Sequence, residues 1–219
     1  MFTRLKMLGA AAVAAVLMAA PASAATVIDF SDGLAGEGGS ISWDGMNLIG
    51  TNIPIGAVKI TGAPQNNGVY EVQGTASGQG GDFMWGSLDF DTSPDNNFIS
   101  ITGCIARLGV GMVNGVCSPV ELMYGTFTSW DTSNAANGLI GAVGQDMKAA
   151  ELLAAINWPA DLPWEFFGFA MTTTQLTPDG TPGAVISTDI RDTAVPEPAT
   201  MMLLGTGLLA AFRARRRQA

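Results

Sequence analysis

Short alternating runs of apolar and polar residues, separated by turn-forming clusters, fill the middle of the chain. Thr26-Val27-Ile28-Asp29-Phe30 stops at Ser31-Asp32-Gly33, and Ile41-Ser42-Trp43 stops at Asp44-Gly45. Residues 57–61 alternate up to Gly62-Ala63-Pro64, and residues 68–73 alternate after Asn66-Asn67. Further runs cover 82–90, 98–102, 120–130, 165–175 and 184–190. A period of two, bounded by Gly, Asn, Asp and Pro, is the signature of half-buried strands. About nine such strands at close spacing predict an all-β domain, an antiparallel β-sandwich of jelly-roll type. The pairs Asn67-Gly68, Asn114-Gly115 and Asn137-Gly138 supply residues that tolerate positive φ in tight turns. One segment breaks the period. Residues 146–157 carry Met147, Ala150, Leu153, Ala154 and Ile156 near helical spacing, with Asp146 placed to cap and Pro159 barring continuation. This predicts a single short helix, its apolar face covering one end or face of the sandwich.

The two ends follow different patterns. Arg4 and Lys6 precede an uncharged apolar run, residues 7–20, and then Pro21-Ala22-Ser23-Ala24. A positive start, an apolar stretch and a small-x-small site are the parts of a secretory signal. Signal peptidase is expected to recognise Ala22 and Ala24 and cut before Ala25. The run is shorter than the ~17–25 residues of a membrane-spanning helix, so cleavage fits better than anchoring.

At the other end Pro196-Glu197-Pro198 leads into an apolar run, residues 199–212, followed at once by Arg213, Arg215, Arg216 and Arg217. The prolines stop regular structure and leave an extended strip. The arginines hold the terminus on the cytoplasmic side, so the preceding domain lies outside the inner membrane. At ~1.5 Å per residue the 199–212 helix is about 21 Å long against a hydrocarbon core of ~30 Å, which suits a temporary anchor. Proline motif, short transmembrane helix and basic tail, in this order, resemble the PEP-CTERM sorting signal of bacterial surface proteins. The resemblance implies recognition by an exosortase-type membrane protease, which cuts near Pro196-Glu197-Pro198 after a transient stay in the inner membrane. It also implies delivery to the cell surface or the extracellular matrix, in a setting rich in exopolysaccharide. The chain therefore divides into a signal peptide (1–24), a passenger domain (25–194) and a sorting signal (195–219). Within the passenger, Leu48 to Ile55, Leu88 to Thr92 and Tyr124 to Phe127 are similar to stretches of other PEP-CTERM passengers, to which no activity attaches.

Composition sharpens this division. The chain has 219 residues, 10 Lys and Arg, 19 Asp and Glu, no histidine and a net charge of −9. Only Lys59, Arg107, Lys148 and Arg191 among the basic residues lie in the passenger, against all the acids except Glu197, so its formal charge is −14. Such a surface repels phosphate and excludes a nucleic-acid partner. The absence of histidine excludes Ser-His-Asp and Cys-His nucleophile systems, a histidine base and histidine-ligated zinc. An enzyme built here would depend on carboxylates, lysine, tyrosine or a bound ion.

Several constellations remain. Cys104 and Cys117, the only cysteines, sit in an exported domain and are expected to form a disulfide across a hairpin or long loop. Asp89, Asp91 and Asp95, beside Asn96 and Asn97, are candidate calcium ligands, although the spacing fails the EF-hand register and solvated acidic turns select the same residues. No other cofactor is expected. The glycine clusters around Gly38 and Gly80 lack the Lys-Ser/Thr of a phosphate loop and are turns. Of the five tryptophans, Trp130 and Trp164 fall near strand ends and are the candidates for an exposed glycan platform. Glu71, Glu121 and Glu165 fall on predicted strands, where two could face one groove as a glycosidase pair. Three functions follow in order of preference: a non-enzymatic structural or adhesive surface protein, a glycan-binding module, and a small carboxylate-dependent glycosidase.

Overall fold

The computed structural model describes residues 26–78, 83–160 and 164–194. The predicted signal peptide, the Pro-Glu-Pro strip, the 199–212 helix and the arginine cluster lie outside the described residues. The first half of the chain forms β1 (Val27–Ser31), β2 (Gly38–Trp43), β3 (Leu48–Ile55), β4 (Ala57–Thr61), β5 (Gly68–Glu71), β6 (Gln73–Ser77) and β7 (Met84–Asp91). Then come β8 (Phe98–Gly103), β9 (Met112–Val113), β10 (Val116–Cys117), β11 (Val120–Asp131) and β12 (Leu139–Lys148). The helix α1 (Ala150–Ala155) precedes β13 (Trp164–Thr173) and β14 (Gly183–Ala194). The domain is thus mostly β with one short helix, as the alternation predicts.

All strand pairs are antiparallel. The pairings run β13-β12-β11-β8-β7-β3-β2-β14, and β14 then bonds back to β13, closing an eight-stranded, barrel-like circuit. A wing, β1-β4-β5, branches from β14. The branch is possible because β14 is long: Gly183 and Val185 pair with β2, and Asp189 to Thr193 pair with β1 along the same edge. Its other edge is filled by β13 from Trp164↔Ala194 to Thr173↔Val185.

Buried and exposed positions alternate along the strands. On β12 the inward set is Ile140, Ala142, Gly144, Asp146 and Lys148. On β14 the buried set includes Val185, Thr188, Ile190, Asp192 and Ala194. Phe90, Phe127 and Phe169, from β7, β11 and β13, meet edge-to-face inside the circuit at 5.6–6.0 Å between centroids. Gly50 on β3 makes room for one of them, since a Cβ there would come within 2.2 Å of the Phe90 ring.

The interior also holds charge. Lys148 Nζ lies 2.5 Å from Asp146 Oδ1 and 3.2 Å from Asp192 Oδ2, and all three side chains are fully buried. The Trp164 and Phe30 rings lie 5.4 and 5.9 Å from the ammonium. Burial drives Asp192 well above the usual carboxylate range. Lys148 opposes that shift, while the negative charge of the neighbouring Asp146 reinforces it. One positive charge cannot offset two buried carboxylates, so the pair keeps a proton on the Asp192 side.

The helix and β12, whose residues no predicted strand covers, depart from the sequence expectation together, and β3 departs separately. The helix does not begin at Asp146: residues 146–148 complete β12, and the helix starts at Ala150 after Ala149, which makes no side-chain cap. Asp146 cannot cap because its carboxylate faces inward and accepts from Lys148. Strand β3 is the second departure. Gly50, Asn52 and Pro54 disguise it, and Asn52 adopts φ 52° where the β3–β7 register shifts.

The expected disulfide is present, with Cys104 and Cys117 at a Cα separation of 5.8 Å. It staples the β9–β10 hairpin, whose turn is Asn114-Gly115 at φ 52° and 78°, against the end of β8. Replacing both cysteines by serine should lower the unfolding free energy by about 3 kcal/mol, as expected for releasing so short a loop. Urea titration of the two proteins checks this. Coincident unfolding curves would show that the hairpin packs equally well without the bond.

Candidate functional site

A concavity lies on the outer surface, where β5, β4, β1, β14 and β13 curve past the β11–β12 connection. It has a volume of about 620 Å³. Alternation decides what faces it. Ile28 and Phe30 of β1 point into the core, so Asp29 and Ser31 point out. Ser187 and Asp189 of β14, Lys59 of β4 and Thr172 of β13 are outward for the same reason, and they meet in the cleft. Asp32 and Asp131 enter from adjoining turns.

The floor is a carboxyl pair. Asp29, one strand away from Asp189, is pushed up to about 6, first by burial and then by a hydrogen bond to, and the negative charge of, Asp189; Lys59 and Arg191 pull the other way. Asp29 Oδ1 is buried without a hydrogen-bond partner among the described residues. That oxygen stands beside the negative charge of Asp189 on the neighbouring strand, which favours the protonated form of Asp29. Burial also raises Asp32, whereas Asp131 at the rim is lowered by the hydrogen bond it accepts from Ser133. The cleft is therefore an acidic groove that exchanges a proton in the mildly acidic range. A retaining or inverting glycosidase needs its two carboxyls at least ~5 Å apart, with the sugar between them. The described lining residues include no aromatic ring for a sugar to stack on.

The residues singled out from the sequence are scattered. Trp164 is fully buried between Lys148 and Trp158, so its candidacy as an exposed glycan platform is withdrawn. An inward position at the start of β13 consumed the ring that proximity to a loop seemed to expose. Trp130 is half-buried, its indole N–H donating to the Met46 carbonyl at 3.3 Å. Asp89, Asp91 and Asp95 do not converge. Asp89 accepts from the Asn52 backbone N–H and from Ser87, and Asp91 accepts from Ser93 and Asn96. Burial alone would raise Asp91, but those bonds outweigh it and hold the group below its ordinary value. Asp95 is exposed in the turn. Among the described residues no three His, Cys, Asp or Glu side chains gather as a metal site. Glu71 accepts from Gln73 on β5 and Glu121 from Ser100 on β11, on separate stretches of sheet; the Glu165 side chain lies outside the described residues. Sequence reasoning missed Asp29, Asp189 and Lys59. Each sat at an outward position of a predicted strand, but only strand order brings them together.

Residues 194–217 match the PEP-CTERM protein-sorting motif, and the chain carries that signal directly after β14. No curated protein and no solved structure matches the chain. Among the described residues no helix is long and apolar enough to cross a membrane; the predicted 199–212 helix lies outside them.

The raised Asp29 carboxyl yields a signed expectation. A folded-state pKa above the unfolded value near 3.8 stabilises the fold at low pH, and that contribution is lost as pH rises from about 4 through about 6. Asp29→Asn removes it. The variant should melt higher than the wild type at pH 7, with the gap closing toward pH 4, in a series of thermal melts. A gap constant across that range would contradict a raised Asp29 in the cleft.

Proposed function

We propose that the protein is a structural or adhesive component of a polysaccharide-rich cell surface, delivered by signal peptidase and an exosortase-type protease. The observation that carries this reading is where the two addresses leave the domain. Val27 pairs with Thr193, and the Ala194 N–H donates to the Thr26 carbonyl at 3.1 Å. The described domain therefore begins and ends at one spot, from which both predicted addresses continue in sequence. While both addresses are attached, the passenger rests on the outer face of the inner membrane by a single end. Its opposite end and its acidic sides are turned outward.

Other features support the same role. The sorting motif specifies export followed by processing. The disulfide suits an oxidising compartment. The charge of the passenger, concentrated on its surface, favours solubility and repulsion between copies until they are incorporated in a layer. The folded domain needs no exposed aromatic platform or assembled metal centre for such a task.

Replacing Pro196-Glu197-Pro198 by three alanines should leave the passenger folded and retained in the inner-membrane fraction. Fractionation with an antibody to the domain reads this directly. Normal arrival of the altered protein at the surface would reject the sorting assignment.

A further inference from the structure

The buried trio inside the circuit has more chemistry than an ion pair needs. Lys148 and Asp146 stand two residues apart on the inward face of β12, and Asp192 faces them from β14, two strands away. Asp146 Oδ2 and both carboxyl oxygens of Asp192 are buried without hydrogen-bond partners among the described residues, although Lys148 Nζ stands 3.2 Å from Asp192 Oδ2. An ion pair evolved for stability alone would satisfy those oxygens, because unpaired buried carboxylate oxygens are costly.

We propose that Lys148 and Asp192 condense into an intramolecular amide, with Asp146 as the proton acceptor that makes the amine nucleophilic. The Lys148 ammonium gives a proton to Asp146, whose oxygen is the nearer at 2.5 Å. The free amine attacks Cγ of Asp192, whose Oδ2 is 3.2 Å from Nζ. The C–O bond to the hydroxyl breaks, the attacking nitrogen loses a second proton, and hydroxyl and proton leave together as water. Ammonium, carboxylate and carboxylic acid thus become an amide, a carboxylic acid and water, with no charge left over and no oxidant or co-reactant required.

Three features select Asp192 as the electrophile. It holds the proton, and a neutral acid loses water on attack where a carboxylate does not. It joins different strands, whereas a bond to Asp146 would merely close a small ring along β12. The Phe30 and Trp164 rings flank Nζ and help seal the site, so the water released has no reservoir to return from. The product replaces buried charges by neutral groups, which relieves their desolvation cost. The bond would tie β12 to β14 across β13, fixing the last strand before the sorting motif.

Mass spectrometry of tryptic digests of the purified full chain, after disulfide reduction, tests this. The expected product is a branched peptide in which Lys148 resists cleavage and joins the segment beginning at Asp192, lighter than the two separate peptides by one water, about 18 Da. Asp192→Ala should abolish the branch, and Asp146→Asn should slow its formation by roughly 10²-fold or more. The wild-type digest decides the question even if a variant misfolds. Cleavage at Lys148 with an unmodified Asp192 segment would overturn the proposal. So would a bond to Asp146, or a water loss mapping to an Asp-Gly step such as Asp44-Gly45.

Discussion

Strand β14 is hydrogen-bonded on both edges, and the closure of the sheet depends on it. β13 fills one edge from Val185 to Ala194, while β2 and then β1 share the other. Without β14 the eight-strand circuit opens between β2 and β13, and the β1-β4-β5 wing loses its attachment. An opened circuit exposes two sheet edges, each a template for pairing with another chain. Closure also sets the chemistry of both faces. Outward, it places Asp189 beside Asp29 in the acidic cleft; inward, it places Asp192 against Lys148 and Asp146.

These two clusters show how one strand period separates opposite electrostatic problems. Asp29 is partly wet, so a raised carboxyl and nearby Lys59 and Arg191 resolve its proximity to Asp189. Asp192 has no water to turn to, and its neutrality is enforced by the low-dielectric interior. The same strand ends at Ala194, immediately before the sorting motif.

Much of this was legible in the chain. Alternation located β1, β4, β8, β11 and β14 because their polar and apolar residues fall strictly on opposite faces. The disulfide followed from two cysteines in an exported domain. β12 was hidden because two of its inward positions are Asp146 and Lys148, so the pattern that marks a buried face is broken by charge. The same break created a false helix start. Trp164 shows the reverse error: loop proximity suggested exposure, but a register shift in β13 turns this ring inward, out of step with Phe169 and Met171. The acidic cleft was unreadable for a different reason. Asp29 and Asp189 are 160 positions apart, and no local pattern specifies that β1 and β14 are neighbours. The sorting tail, by contrast, is read by a partner as an ordered set of residue types, which is why sequence alone sufficed for it.

Native-state hydrogen exchange of the full chain tests most directly whether β14 locks the domain. Its amides, together with those of β13 facing them, should exchange in the slowest class, opening only with global unfolding. Exchange of β14 by local opening, well ahead of β11 and β12, would show that the circuit closes without depending on it.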